Sequence, residues 1–114
     1  MEFSTKTIHA GQPVEPLTGA VVSPIFQTTT YQQIGPGEHR GFDYTRTNNP
    51  TRERLEDVLA ALEGGTHAAL FGSGLAAEHA VLQAYLKPGQ AIVVPGDVYG
   101  GTFRMLHRVF EPLG

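Results

Sequence analysis

Three observations predict an α/β fold, a parallel sheet with right-handed crossovers, preceded by a long N-terminal arm. Two short apolar runs, HAALF at 67–71 and QAIVVP at 90–95, are bounded by turn-forming residues in the manner of buried strands. Helical patterns alternate with them in the order helix, strand, helix, strand, helix, which is the signature of parallel crossover units. Residues 1–49 show little periodicity and hold most of the Thr, Gln and Asn, so they read as an extended arm.

A loop-like arm of this length is uncommon inside one compact domain, so it is expected to lie on a partner or to belong to something larger. At Asn49 the character of the chain changes. Asn49 can cap a helix, Pro50 suits its first position because its missing N–H is an orphan there anyway, and Glu53 falls where the helix dipole favours an acid. Leu55, Val58, Leu59 and Leu62 then mark one face, and Gly64-Gly65 ends the helix.

The run 67–71 suits a buried strand, although periodicity alone does not separate it from a helical piece. Gly72-Ser73-Gly74 turns the chain into LAAEHAVLQAYL (75–86), an Ala- and Leu-rich helix stopped by Lys87-Pro88-Gly89. The second strand at 90–95 is followed by the loop PGDVYGG and by a short helix over TFRMLHRVF. Two strands buried on both faces do not finish a sheet, so the expectation is the front end of a larger α/β protein.

The totals narrow the functions. Of 114 residues, 40% are apolar and 17% charged, a balance that supports a globular core and argues against disorder. A net charge of -3 offers no basic surplus for nucleic acid or anionic lipid, which leaves small molecules and copies of the chain as partners. Without cysteine, disulfides and thiol chemistry are excluded. No secretory leader or membrane-length apolar window is seen, and a cytoplasmic protein is the default expectation. The five histidines show no metal-ligand spacing, so no metal is expected.

Two places stand out chemically. The glycines flanking Ser73 let the backbone approach a ligand, and the N–H groups opening the next helix favour an anion such as phosphate; a plain tight turn fits the same residues. Gly72, Gly74 and Ala77 also satisfy G-x-G-x-x-A, with Asp97 further on, so a Rossmann dinucleotide site is a rival. Against it, Asp97 follows Pro95-Gly96 inside a loop rather than ending a strand, and the arm is left unused. Tyr99 lies beyond a strand's C-terminal end, where open sheets bind ligands, and its ring can either stack on a flat cofactor or close the loop.

Five motifs in order carry a resemblance: I-H-x-G (8–11), P-I-x-x-T-T-T-Y (24–31), Y-T-R-T-x-N-P-T (44–51), S-G-L-A-A (73–77) and D-x-Y-G-G-T (97–102). Together they resemble the N-terminal part of the Cys/Met-metabolism enzymes, which use pyridoxal 5'-phosphate (PLP) and include cystathionine γ-synthases, γ-lyases and β-lyases. The resemblance implies the start of a fold type I, aspartate-aminotransferase-like large domain over 50–114, with 1–49 as an arm contacting a neighbouring subunit. It implies that Tyr44 and Arg46 reach the PLP phosphate of that neighbour in a homo-oligomer, a dimer or a larger assembly. Arg46 would supply a planar fork of donors, and Tyr44 a hydroxyl that binds and relays a proton. Within one subunit, the N–H groups of Gly74 and Leu75 would hold the phosphate with Ser73 beside them, and Tyr99 would stack on the ring. Leu75 replaces a frequent Met, a change of little consequence for a backbone contact.

The implied reaction is γ-elimination or γ-replacement on an amino-acid substrate, a homoserine ester or cystathionine. Gly101 stands where methionine γ-lyases characteristically carry Cys, which weighs against that subtype, while O-acetylhomoserine sulfhydrylases and β-lyases stay open. PLP chemistry also needs a lysine, yet Lys6 and Lys87 are the only two and neither matches the family's catalytic position. The 114 residues alone are therefore expected to be inactive. The alternative is a truncated, non-catalytic product that at most associates with a full-length relative.

Overall fold

The computed structural model describes all 114 residues, which divide into two compact units, Met1–Leu70 and Phe71–Gly114. In the first unit, helix α1 (Phe3–His9) packs on helix α2 (Pro50–Glu63). The N-terminus of α2 forms as its sequence dictates. Asn49 is extended at φ -150° and its side chain accepts the Thr51 N–H at 2.8 Å, with Pro50 in the first turn. At the other end Gly64 takes φ 69°, and Gly65 N–H donates to the Ala60 carbonyl.

Helix α1 lies inside the stretch expected to be an extended arm. It has no side-chain N-cap and spans seven residues, too few to persist by propensity alone, so packing on α2 holds it. The next turn depends on Gly11 at φ 64°, where an added Cβ would come within 2.6 Å of Asp57 Cβ and 2.8 Å of Val58 N. Between the helices the backbone is irregular but tied. Tyr31 N–H donates to Asp43 C=O at 2.9 Å and Thr45 N–H to Thr29 C=O at 2.8 Å, flanking an antiparallel bridge from Thr30 to Tyr44.

The second unit holds helix α3 (Gly74–Tyr85) and helix α4 (Gly100–Met105). The chain continues from α4 through a π-helical turn, Leu106–Phe110, and a 3-10 turn, Glu111–Leu113. Ser73 caps α3 by accepting the Ala76 N–H at 3.1 Å, and Leu86 follows in extended conformation ahead of Pro88. The expected third helix therefore exists, but it begins two residues earlier than its apolar pattern and changes its winding at Leu106.

The expected parallel sheet is not formed. Neither 67–71 nor 90–95 makes a strand, and the β pairing consists of the two isolated bridges, Thr30 to Tyr44 and Gly35 to Glu38. A strand exists only through a ladder with a neighbour, and apolar composition cannot supply one. Val93 is 97% exposed as a result. The apolar face expected on α2 is likewise incompletely covered, with Leu55 half exposed and Ala60 the residue buried.

The accessible surface makes the same point quantitatively. It is 8932 Å² for a chain of 12.3 kDa, against about 6,100 Å² for a folded monomer of this mass. Only Ala60 and Leu82 are buried apolar residues. The isolated chain is expected to unfold over a broad temperature range and to bind 8-anilinonaphthalene-1-sulfonate in calorimetry and fluorescence runs. A sharp, reversible transition without dye binding would contradict this.

Candidate functional site

The Tyr44-Arg46 pair belongs to the first unit. Its backbone is fixed on one side by the Thr29–Tyr31 pairing and on the other by α2, since Asn49 Nδ2 donates to Phe26 C=O at 3.2 Å and also to Thr45 Oγ1. Thr51 Oγ1 adds a bond by accepting Phe26 N–H at 2.8 Å. Both functional side chains stay exposed. Arg46 Nη2 donates to Tyr44 Oη at 3.2 Å, and its guanidinium carbon lies 5.1 Å from the Tyr44 ring centroid. No carboxylate pairs with Arg46 in the chain. The two groups present one cationic, hydrogen-bonding tip suited to a phosphate or carboxylate.

The second unit supplies the other expected residues. The Ala76 N–H is taken by Ser73 Oγ and the Ala77 N–H by the Ser73 carbonyl at 3.1 Å. The first two N–H groups of α3, those of Gly74 and Leu75, are left without a protein acceptor at the positive end of a twelve-residue helix. A Cβ at Gly72 or Gly74 would meet nothing within 4 Å, so the approach is open. This donor set fits a phosphate.

Tyr99 immediately precedes α4, is 71% exposed, and packs beside buried Gly101. A Cβ on Gly101 would come within 3.0 Å of Leu75 Cδ1 and closer still to Tyr99 Cε1. The tertiary fold thus brings the edge of the Tyr99 ring and the Leu75 side chain, from the first turn of α3, to the same side of Gly101. Glu78 Oε2 reinforces the approach by accepting the Thr102 hydroxyl at 2.7 Å. Gly101→Ala is expected to overpack this contact by about 1–3 kcal/mol. Thermal denaturation of the full-length protein carrying this segment should show that loss; an unshifted midpoint would mean the ring moves aside freely.

Glu78 and Arg52 were not singled out from sequence. Glu78 carries no local signal, because its partner is 24 residues away. Arg52 has one, a cation in the first turn of a helix, where the dipole disfavours it. Its Nη1 donates to the carbonyls of Thr45 and Arg46, each at 3.4 Å, and its Nη2 to that of Thr47. Asp97 lies in a turn ahead of α4 rather than in a strand. Lys87 stands past the C-terminal end of α3, about 18 Å of helix from Gly74, and therefore away from the anion cup made by the Gly74 and Leu75 N–H groups. Lys6 lies on α1.

No helix is long and apolar enough to cross a membrane. The sequence profile of the Cys/Met metabolism PLP-dependent enzymes matches residues 4–114. A probable cystathionine gamma-synthase of Herpetosiphon aurantiacus is 51% identical over 112 residues, 98% of this chain and 35% of that protein. A cystathionine beta-lyase of Coxiella burnetii is 49% identical over 107 residues, 94% of this chain and 27% of that protein. The crystal structure of metB from Corynebacterium glutamicum superposes with a TM-score of 0.94 at 43% identity, over 100% of this chain and 30% of that one. The chain thus spans about a third of the length of these relatives. With the profile running through the arm, the α3 cup and the Tyr99 loop, the chain belongs to the Cys/Met metabolism PLP-dependent enzyme family.

Proposed function

We propose that this chain is the N-terminal segment of a PLP-dependent transsulfuration enzyme that acts by γ-elimination or γ-replacement on homoserine esters or cystathionine. The observation that carries this reading is the pair of unpartnered N–H groups at Gly74 and Leu75 with Tyr99 packed against the same turn. The first two groups hold the cofactor's phosphate, with Ser73 ordering the turn by capping it. Tyr99 orients the cofactor ring and limits its tilt. When bound, PLP supplies an electron sink for negative charge on the substrate carbons.

Tyr44 and Arg46 act in the same reading on the phosphate of a neighbouring subunit, so that the enzyme is a homo-oligomer with shared sites. Arg46 neutralises phosphate charge, and Tyr44 Oη, already engaged by Arg46, adds a donor beside it that can hold or relay a proton. Family membership and the absence of a carboxylate partner for Arg46 support this assignment. The lysine that this chemistry requires is not Lys87, given its distance along α3, and is assigned to residues beyond this segment.

The first test is the intact mass of the native protein, captured from its source cells with an antibody against α2. A mass several times 12.3 kDa is expected, together with a visible PLP absorption band and, from homoserine esters, release of a keto acid, ammonia and the ester's carboxylic acid, or of cystathionine and that acid when cysteine is also supplied. A mass of 12.3 kDa would replace the enzyme by a non-catalytic fragment that associates with a relative. Binding of NAD(P) without a PLP band would return the Gly72-Ser73-Gly74 turn to the dinucleotide reading.

A further inference from the structure

We infer that Arg52 is a positioning residue for the Tyr44-Arg46 pair, an inference that rests on the assignment of that pair to the cofactor phosphate. Arg52 is partly buried at the third position of α2, and its side chain turns back to the loop that precedes the helix. One guanidinium gathers three consecutive carbonyls, those of Thr45, Arg46 and Thr47. The preceding carbonyl, Tyr44 C=O, is already engaged by the N–H groups of Thr47 and Asn48 at 3.0 Å each. With these four carbonyls tied, the directions in which the side chains of Tyr44 and Arg46 leave the backbone are set.

A role in the helix alone accounts poorly for Arg52. A cation in the first turn opposes the dipole, and its i,i+4 partner Glu56 stands in the less favourable order, acid C-terminal to base. The Arg52 Nε to Glu56 Oε1 separation is 3.7 Å, too long for a hydrogen bond. Glu56 Oε1 instead accepts Leu70 N–H at 2.9 Å, which holds the carboxylate where it braces the guanidinium. The carbonyls of an irregular loop lack ladder partners, and a planar fork with five donors can serve three of them at once. Lysine has three donors on one nitrogen and lacks the separated Nη1 and Nη2 that here reach different carbonyls.

The test uses the full-length, PLP-loaded enzyme carrying this segment, with Arg52→Lys, Arg46→Ala and the double variant. Dissociation of PLP, and separately of phosphate-free pyridoxal, is measured along with hydrogen exchange at the Thr47 and Asn48 amides. Arg52→Lys is expected to weaken PLP retention about tenfold, the scale of coupling between neighbours. It should leave pyridoxal retention unchanged, add nothing once Arg46 is Ala, and speed exchange at both amides.

Equal weakening of PLP and pyridoxal would mean general loosening, and the inference would fall. So would a full extra loss in the double variant, or wild-type exchange in Arg52→Lys. If Arg46→Ala itself retains PLP normally, the phosphate assignment fails instead. Exchange at Thr47 and Asn48 then decides separately whether Arg52 orders the loop.

Discussion

Replacing Arg46 with Ala in the full-length enzyme is expected to weaken PLP retention roughly 10- to 150-fold, because a charge-assisted hydrogen bond contributes about 1.5–3 kcal/mol. The reason lies in the arm. Arg46 is exposed, has no carboxylate to neutralise it, and is joined to Tyr44 Oη at 3.2 Å, so its charge is available to an incoming anion. Dialysis followed by absorbance of the remaining cofactor measures the effect. Since Arg46 is assigned to a neighbour's site, mixed oligomers should add a second signature. Arg46→Ala subunits mixed with subunits defective in their own α3 cup should yield sites that combine both defects and sites that have neither. Unchanged retention in every case would remove Arg46 from the cofactor.

Tyr99→Ala is expected to lower kcat by about 10²-fold, the scale of a misplacement of roughly 1 Å at reacting atoms. Tyr99 is 71% exposed, and its ring edge lies against Gly101, so it presents a flat face without being buried. Phe in its place keeps that face and should recover most of the rate. Equal turnover in the Ala variant would make Tyr99 a loop-closing residue, as the rival reading of the sequence holds. A loss in Phe as large as in Ala would assign the work to the hydroxyl rather than to the ring.

Residues that act over one turn were legible in the sequence. Asn49-Pro50 and Gly64 announce α2 and adopt the expected roles, while Ser73, read as part of a turn, proves also to cap α3. The motif order carried the family with the same clarity, because Ser73-Gly74-Leu75 and Tyr44-x-Arg46 are contiguous signals. The helix over residues 3–9 was not legible, since its stability comes from α2, more than forty residues on. Nor was the lack of strands at 67–71 and 90–95. Apolar runs record that a segment will be buried by something, while a ladder depends on a neighbour that a local pattern does not name.

Within the candidate site the division is the same. Residue types and position along the chain pointed to the Ser73-Gly74 turn and to Tyr99, and the family resemblance added Tyr44, Arg46 and Leu75 as candidates. Packing brought Tyr99 to Leu75 across Gly101, joined Thr102 to Glu78 over 24 residues, and turned Arg52 back onto the carbonyls of the arm. Capping and helical periodicity are written in neighbouring residues because their hydrogen bonds close within four positions. Contacts between distant segments obey shape and unmet hydrogen-bonding capacity, which come into being only once the chain is folded.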